Sequence, residues 1–585
     1  MKQSVFNLNT LKAHPERNAF DLSHNDVFSC APGMLLPISC TEVLPNEHYE
    51  INPQVFLRTM PLNSAAYVRM RQHVEFFFVP ARVLLRQFPQ FVVGTKYPIS
   101  SLATLNDFAK EIPSVSLASL RATYESAGDS SDGLGIPAKY GHLRLFDLLG
   151  YGLNSSRNIN ADTYPDKYVS GGTTQSSPKL SILRFAAYQK IYQDFYRNPY
   201  WEPADASIFN YDDKFGETLF ASVSADANRL FKLVTLRYRN WTKDFFTSVQ
   251  PQFQGAPFVT KYFHMNDFMT SSTYLNGSNF VPDTTTNIVK TSLPFADSSA
   301  SNMASLVGQV DDNISIPVHN IRAAFALAKL YRLQQQAGNG SYGEQIRNRF
   351  GFGGVHDDWK SQYIGGSSAP ISIGEVITTA NTFDAGEATG LTGDIYGKAS
   401  SVNDGKFVFD TKEHGFIMGI FSVVPDADYN STQIDPHNFK LSFEQFFQPE
   451  FDRLGHQPLN SYFLSSLAPW SSSSPSADTE SKSWLQRVLG FQNRYLEYKT
   501  GIDRVHGQFC TNGSLGAWTA PRNSGILSIN STYYNLYSLK VSPKILNSIV
   551  SVSFDGKEDT DPILVNSHIS IKAIRPMSVS DEPLL

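Results

Sequence analysis

The chain has 585 residues with a formal net charge of −5; 13% of them are aromatic and only 18% charged. The slight acidity excludes a nucleic-acid binder of the basic-tail type, and the length exceeds one ordinary domain unless a single β-architecture carries large insertions. Few charges beside many aromatics fit a surface buried against neighbours, and fit a large β-protein equally well.

The start, Met1-Lys-Gln-Ser-Val-Phe-Asn-Leu-Asn9, lacks the continuous apolar core of a signal peptide. Residues 30 to 80 read as extended structure. Met34 to Ile38, Tyr49 to Ile51 with Val55 to Leu57, and Tyr67 through Val79 are β-rich runs, broken at Pro45, Pro53 and Pro61 and closed by Pro80. A first insertion spans residues 81–229. It opens on a Ser-, Ala-, Gly- and Asp-rich tract at 100–178 with a short helix candidate at Leu143 to Leu149. A helix is predicted over about 179–198, where Ile182, Phe185, Tyr188, Ile191, Tyr192, Phe195 and Tyr196 keep the helical repeat and Pro199 stops it. The Tyr188, Tyr192, Tyr196 stripe reads as packing.

Leu230 to Tyr238 is a strand candidate. Residues 254–316 form a polar surface-loop insertion, and a second helix is predicted over 317–338, with Ile321, Ala324, Phe325, Ala328 and Tyr331 on one face and Gly338 after it. Phe416 to Val424 is the most apolar run but too short to span a bilayer, so no membrane partner is expected. Residues 546–585 read as C-terminal strands, Ile549 to Phe554 and His568 to Ile574. With strands first and last and helices and loops between, the whole chain is expected to be one β-sandwich with inflated turns, its last strand returning beside the first.

Several motifs then occur in one order. They are Asn18-Ala-Phe-Asp-Leu-Ser-His-Asn25 through Val74-Glu-Phe-Phe-Phe-Val-Pro80, Leu183 to Tyr192 with Phe195-Tyr-Arg-Asn198, and Arg237 to Ser248 followed by Pro251 to Gly255. Ile321 to Phe325, Gly365 to Ile371, Gly490 to Tyr498, Asp561 to Asn566 and Ala573 to Met577 follow. Together they resemble the major capsid proteins of the Microviridae, in particular the gokushovirus-like branch. The resemblance implies a mainly β, eight-stranded antiparallel jelly roll with large loop insertions containing a few α-helices. It implies a homo-oligomer of about 60 copies closed by icosahedral symmetry around a circular single-stranded DNA phage genome, assembled in the host bacterial cytoplasm, with a minor pilot protein. It also implies no catalysis and a projecting loop in the place of residues 254–316. The acidity of the subunit adds a small basic DNA-packaging protein as an expected partner.

Enzyme signatures are weak. Gly393 to Ser400 is one residue short of a phosphate loop and carries Ala399 where a hydroxyl is needed. His356 with Asp357 and Asp358 has no second His at ligand spacing. Asp555, Glu558, Asp559 and Asp561 read as a solvated acidic turn ahead of a calcium site. Cys30, Cys40 and Cys510 lack metal-ligand spacing and read as reduced thiols. No cofactor or metal is expected. Two clusters combine cations with aromatics, as single-stranded DNA contact requires: Arg69 and Arg71 beside His73, and Arg494, Tyr495, Tyr498 and Lys499. Solvated faces held by ion pairs are the commoner use of such residues. In the polar loop, Thr270, Tyr274, Asn276, Asn279 and Phe280 are candidates for contact with a host surface glycan. The rival reading of the chain is a carbohydrate-binding or carbohydrate-cleaving β-sandwich, whose cleaving form would need two carboxylates facing across a cleft.

Overall fold

The structure is a computed structural model. It describes residues 17–85, 88–93, 112–127, 134, 136–152, 169–170, 173–174, 179–205, 208–209, 227–251, 282–283, 288–289, 351, 360–377, 382–384, 387–390, 395–430, 433–452, 456–464, 488–511, 513–522, 539–554 and 560–579. Two compact units are present, one of Met1–Pro251 with Asp358–Leu585, the other of Gln252–Asp357. The polar tract at 254–316 and the helix expected at 317–338 fall in the second unit and outside the described residues, apart from the short hairpin Pro282–Asp283 with Ile288–Val289.

Ten strands of the first unit form one curled antiparallel sheet. They are β1 (Asn18–Asp21), β2 (His24–Cys30), β3 (Leu36–Val43), β4 (His48–Thr59), β5 (Met70–Pro80), β6 (Gln362–Ile377), β7 (Ile395–Asp404), β8 (Phe407–Asp410), β9 (Gly415–Pro425) and β10 (Ile563–Arg575). Strand β1 prolongs the β2 edge along β10, and β8 prolongs β7 along β4, so eight positions remain. One layer runs β2–β10–β4–β7 and the other β3–β9–β5–β6. In chain order these positions are 1-8-3-6 and 2-7-4-5, the interleaving of a jelly roll. Strand β6 joins the layers: Gln362 to Ile371 pair with β5, and Ser372 to Ile377 pair with β7. The final strand lies beside the first, Arg575 opposite Asn18, as expected.

Alternation explains the layers. On β5, Met70, Gln72, Val74, Phe76 and Phe78 point into the sandwich. There Phe76 meets Phe407 at 5.1 Å and Phe78 meets Phe409 at 5.2 Å between ring centres, and Phe28 reaches Phe421 at 5.6 Å. Phe77 points the other way, onto Phe195 at 4.7 Å. The triplet is therefore core on both sides of one sheet. Gly419 of β9 lies under the Phe76 ring, where a Cβ would stand 2.8 Å from ring atoms, so only glycine admits that ring.

The first insertion covers the outer face of the β3–β9–β5–β6 layer. After the short helices Ala81–Leu84 and Phe88–Val93, its helices among the described residues are α1 (Leu117–Ala127), α2 (Ala138–Leu148), α3 (Leu183–Ile191) and α4 (Ala227–Leu233). A wider turn, Tyr192–Tyr196, continues α3. The tyrosine stripe packs within the subunit. Tyr188 donates to the Leu35 carbonyl at 2.9 Å, Tyr192 to Glu202 at 2.5 Å and Tyr196 to Glu75 at 2.5 Å, and burial pushes all three hydroxyls up. Helix α2 is fastened to the sandwich by a buried polar knot: Asp561 pairs with Arg144 and accepts from Tyr140 and from Ser29, each at 2.5 Å.

Several sequence expectations are corrected. The helix expected from 179 begins at Leu183, because Lys179–Ser181 pairs with Ser114–Ser116 as a short strand. Leu230 to Leu233 is helical, and only the stretch beyond it is extended, Tyr238 bridging Met34. Residues 546–554 are turns with one bridge to Leu62, since the buried Leu546, Ile549 and Val550 follow a turn spacing. Pro53 does not break β4. It sits opposite the gap between the end of β7 (Asp404, facing Gln54) and the start of β8 (Phe407, facing Ile51), so its missing N–H costs little. Strands β6 to β9 occupy the middle of the chain, where only helices and loops were expected. Asp561 is buried in an ion pair, not part of a solvated turn. None of the three cysteines is in a disulfide, and burial raises the thiols of Cys30 and Cys40, the latter to about 11.

One buried group sets an acid limit on the fold. His142 of α2 is fully buried, 4.7 Å from Phe231 between ring centres, and neither ring nitrogen has a hydrogen-bond partner. Burial lowers it to about 4 from an ordinary 6.5. The unfolded chain therefore takes up a proton first, and stability present above pH 6.5 is lost as pH falls toward 4. That loss amounts to about 3 kcal/mol. Urea unfolding of wild type and His142→Phe should give curves whose separation grows in favour of the variant across this window. His73, lowered to about 4 by burial and Arg239, titrates alike in both chains and cancels. A separation independent of pH would refute the assignment.

Candidate functional site

The two cation–aromatic clusters lie in different settings. Arg69 precedes β5 and donates to Asp428 at 2.6 Å and Asp503 at 2.8 Å. Its charge is met twice, and burial pushes the Asp428 carboxyl up despite that pairing. Arg71 points outward from β5, and among the described residues its side chain has no hydrogen bond or ion pair. His73, one outward position further along, is half-buried and held neutral by its surroundings.

The second cluster follows the hairpin His456–Asn460 with Val488–Asn493. Tyr495 is buried in a left-handed conformation (φ 61°), its hydroxyl donating to the Phe446 carbonyl at 3.2 Å. Arg494 lies over the rings of Phe451 and Tyr495, at 4.7 and 5.2 Å. Tyr498 is exposed on one side and receives Lys440 over its ring at 3.5 Å. Lys440 is itself paired with Glu497 at 3.1 Å, both nearly enclosed, and Lys499 is paired with Asp452 at 2.8 Å. Arg494, Tyr495, Lys440 and Glu497 line a recess of about 350 Å³ together with His456 and Gln492. Of the six residues named from the sequence, Arg71 and Arg494 are the cations without an acidic partner among the described residues, Arg494 resting on the Phe451 and Tyr495 rings with the half-exposed Tyr498 close by. The five candidates in the polar loop, Thr270, Tyr274, Asn276, Asn279 and Phe280, lie outside the described residues.

Two exposed surfaces escaped the sequence reading. The outer face of the β2–β10–β4–β7 layer carries a cross-strand row, Val27–Asn566–Phe56–Val402, that is directly in register and exposed along its length. Beside it opens a recess of about 820 Å³, with Phe56, Arg58 and Leu564 on the sheet side and Arg144, Asp147 and Leu148 of α2 on the other. The other surface is the loop after Phe439, where Leu441, Phe443, Phe446 and Phe447 all stand in solvent. Polar-out alternation predicts the opposite for the sheet, so only the cross-strand register, invisible in a single strand, reveals the row. Among the described residues no group of three His, Cys, Asp or Glu side chains is placed to hold a metal ion, and no helix is long and apolar enough to cross a membrane.

A family model described as capsid protein (F protein) matches residues 9–153 and 154–524. The capsid protein VP1 of Chlamydia phage 1 is 22% identical over 642 aligned positions, which cover 97% of this chain and 95% of the relative. The match thus runs through the sandwich and its insertions alike.

Arg69 and Arg71 should separate on substitution. Arg69→Ala removes the shared partner of Asp428 and Asp503 and is expected to lower stability by about 1 kcal/mol, with faster hydrogen exchange around Tyr429 and Asp503. Arg71→Ala should leave unfolding within about 0.5 kcal/mol of wild type. Equal losses in urea titrations would show that both are structural.

Proposed function

The chain belongs to the capsid protein (F protein) family, and from that premise we propose that it is the major shell subunit of a small icosahedral phage enclosing circular single-stranded DNA. The observation that carries the reading is the near full-length match laid over a jelly roll, in which insertions and sandwich alike are shared with a phage capsid protein. The same match decides against the carbohydrate-directed sandwich. Assembly into a shell follows from the family; about 60 copies and strict icosahedral closure are our finer reading.

For the genome we propose contacts at Arg71 and at Arg494 and Tyr498, where a cation resting on aromatic rings lies near a half-exposed tyrosine. Arg69 and Lys499 contribute less, because acidic neighbours already neutralise them. A net charge of −5 with so many cations paired internally supports a separate small basic packaging protein, alongside a minor pilot protein. We propose residues 254–316, with Thr270, Tyr274, Asn276, Asn279 and Phe280, as the surface that meets a host glycan; their polar, aromatic-bearing composition supports it.

Negative-stain microscopy of the expressed full chain tests the shell reading. Closed particles of uniform diameter are expected, and a preparation of separate small objects alone would reject it. Deleting residues 254–316 should leave particles forming while attachment to host cells drops at least tenfold. Unchanged attachment would remove the loop from that role.

A further inference from the structure

We propose that the Leu441–Phe447 loop is a preformed contact through which one copy of this chain grips a second copy. The inference rests on the shell reading and adds to it a specific surface. Leu441 is 89% exposed, Phe443 77%, Phe446 51% and Phe447 42%. Four large apolar side chains stand in solvent within seven residues of one loop, and exposed apolar groups clustered in this way mark protein contact sites. Aromatic residues dominate it, as they do the centres of protein interfaces.

The loop is held rigidly, which a frayed segment would not be. A short turn, Phe443–Gln445, is closed by the Gln445 side chain, which accepts from the backbone N–H groups of Leu441 at 2.5 Å and Ser442 at 3.1 Å. Behind it, the buried Lys440–Glu497 pair and the Tyr495 hydroxyl on the Phe446 carbonyl clamp the loop to the turn Leu496–Tyr498. Gln457 tightens the clamp by donating to Glu497 at 2.7 Å and accepting from the Tyr495 N–H at 2.9 Å. Because the loop is already ordered, little conformational entropy is lost when it docks.

Charge selects the occupant. Among the described residues, the nearby Lys440, Lys499 and Arg504 are paired inside the subunit with Glu497, Asp452 and Asp435, while Arg494 rests on Phe451 and Tyr495. Glu450 is exposed at the loop's far end. With the neighbouring lysines among the described residues already paired and an exposed acid at its end, the apolar loop itself suits a protein surface better than a phosphate backbone. In a shell built from copies of one chain, the protein that meets each subunit most often is another copy.

The test uses the full chain produced with the remaining phage proteins, so that assembly has every component it needs. Leu441→Ser with Phe443→Ser is expected to keep the circular dichroism and urea midpoint of wild type, since both side chains lie in solvent. Particle yield by sedimentation should fall at least tenfold, with the chain accumulating as slow-sedimenting species. Wild-type yield from a folded variant would overturn the proposal while leaving the shell reading intact; absence of particles from wild type would overturn both. A second probe covers a variant that fails to fold. Phe443→Cys in assembled particles should react with a polar maleimide at least tenfold more slowly than in the dissociated chain, and equal rates would overturn the contact.

Discussion

Everything in this subunit hangs on one pairing. Strand β10 fills the slot between β2 and β4, with Ile563 to Ile574 opposite Thr59 to His48 along its whole length. Without it the first layer falls into two pieces and neither has a partner for its inward apolar row. The pairing closes a loop of most of the chain, yet loop-closure entropy grows only logarithmically, about 0.6 kcal/mol for each doubling of length. Long insertions are therefore tolerated wherever they leave from turns, provided the strands at their roots stay registered. Polar fasteners secure that register at both ends of β10: the Asp561, Arg144, Tyr140 and Ser29 knot at its start, and Arg575 with Glu47 and Tyr49 at its close.

The same topology gives the subunit two unlike sides. The insertion between β5 and β6 lays α3 over the β3–β9–β5–β6 layer, where Glu75 is shared by Tyr196 and Arg239 and Phe77 is roofed by Phe195. Among the described residues the β2–β10–β4–β7 layer has no such roof at Phe56, Val27 and Val402. A container wall needs this asymmetry, because its inner and outer surfaces meet different chemistry. Sidedness here is a consequence of which turn received the insertion, not of any special strand sequence.

How much of this could be read in advance depended on whether a segment's pattern was local. Strands β3, β4 and β5 were legible because their alternation and bounding prolines sit within a few residues, and the return of His568 to Ile574 followed from sandwich logic. Strand β9 was hidden because it is buried on both faces, so Phe416 to Val424 shows no alternation. Strand β6 was hidden by Gly365, Gly366, Ser367 and Ser368, chosen for space: a Cβ on Gly365 would stand 2.8 Å from the Phe407 ring. Of the DNA candidates, composition located cations and rings correctly, but it could not see that Asp428, Asp503 and Asp452 neutralise Arg69 and Lys499. Those acids lie tens to hundreds of residues away and reach their partners only through the fold.

The exposed apolar groups follow from a competition that every assembling subunit faces. Surface kept sticky for neighbours also invites indiscriminate association before assembly. In this chain the two apolar surfaces limit that hazard differently. The Val27, Phe56 and Val402 row is flat and one residue deep, flanked by Arg58 on one side and by Gln54 and Asp404 on the other, so an ill-fitting partner must desolvate charge to reach it. The Leu441 to Phe447 loop is small but fixed, so it rewards only a surface shaped to receive it. A closed shell also demands contacts between different patches, since a patch that pairs only with itself stops at a dimer. The proposed copy-to-copy contact at the Leu441 to Phe447 loop therefore has to meet a different patch on the neighbouring copy.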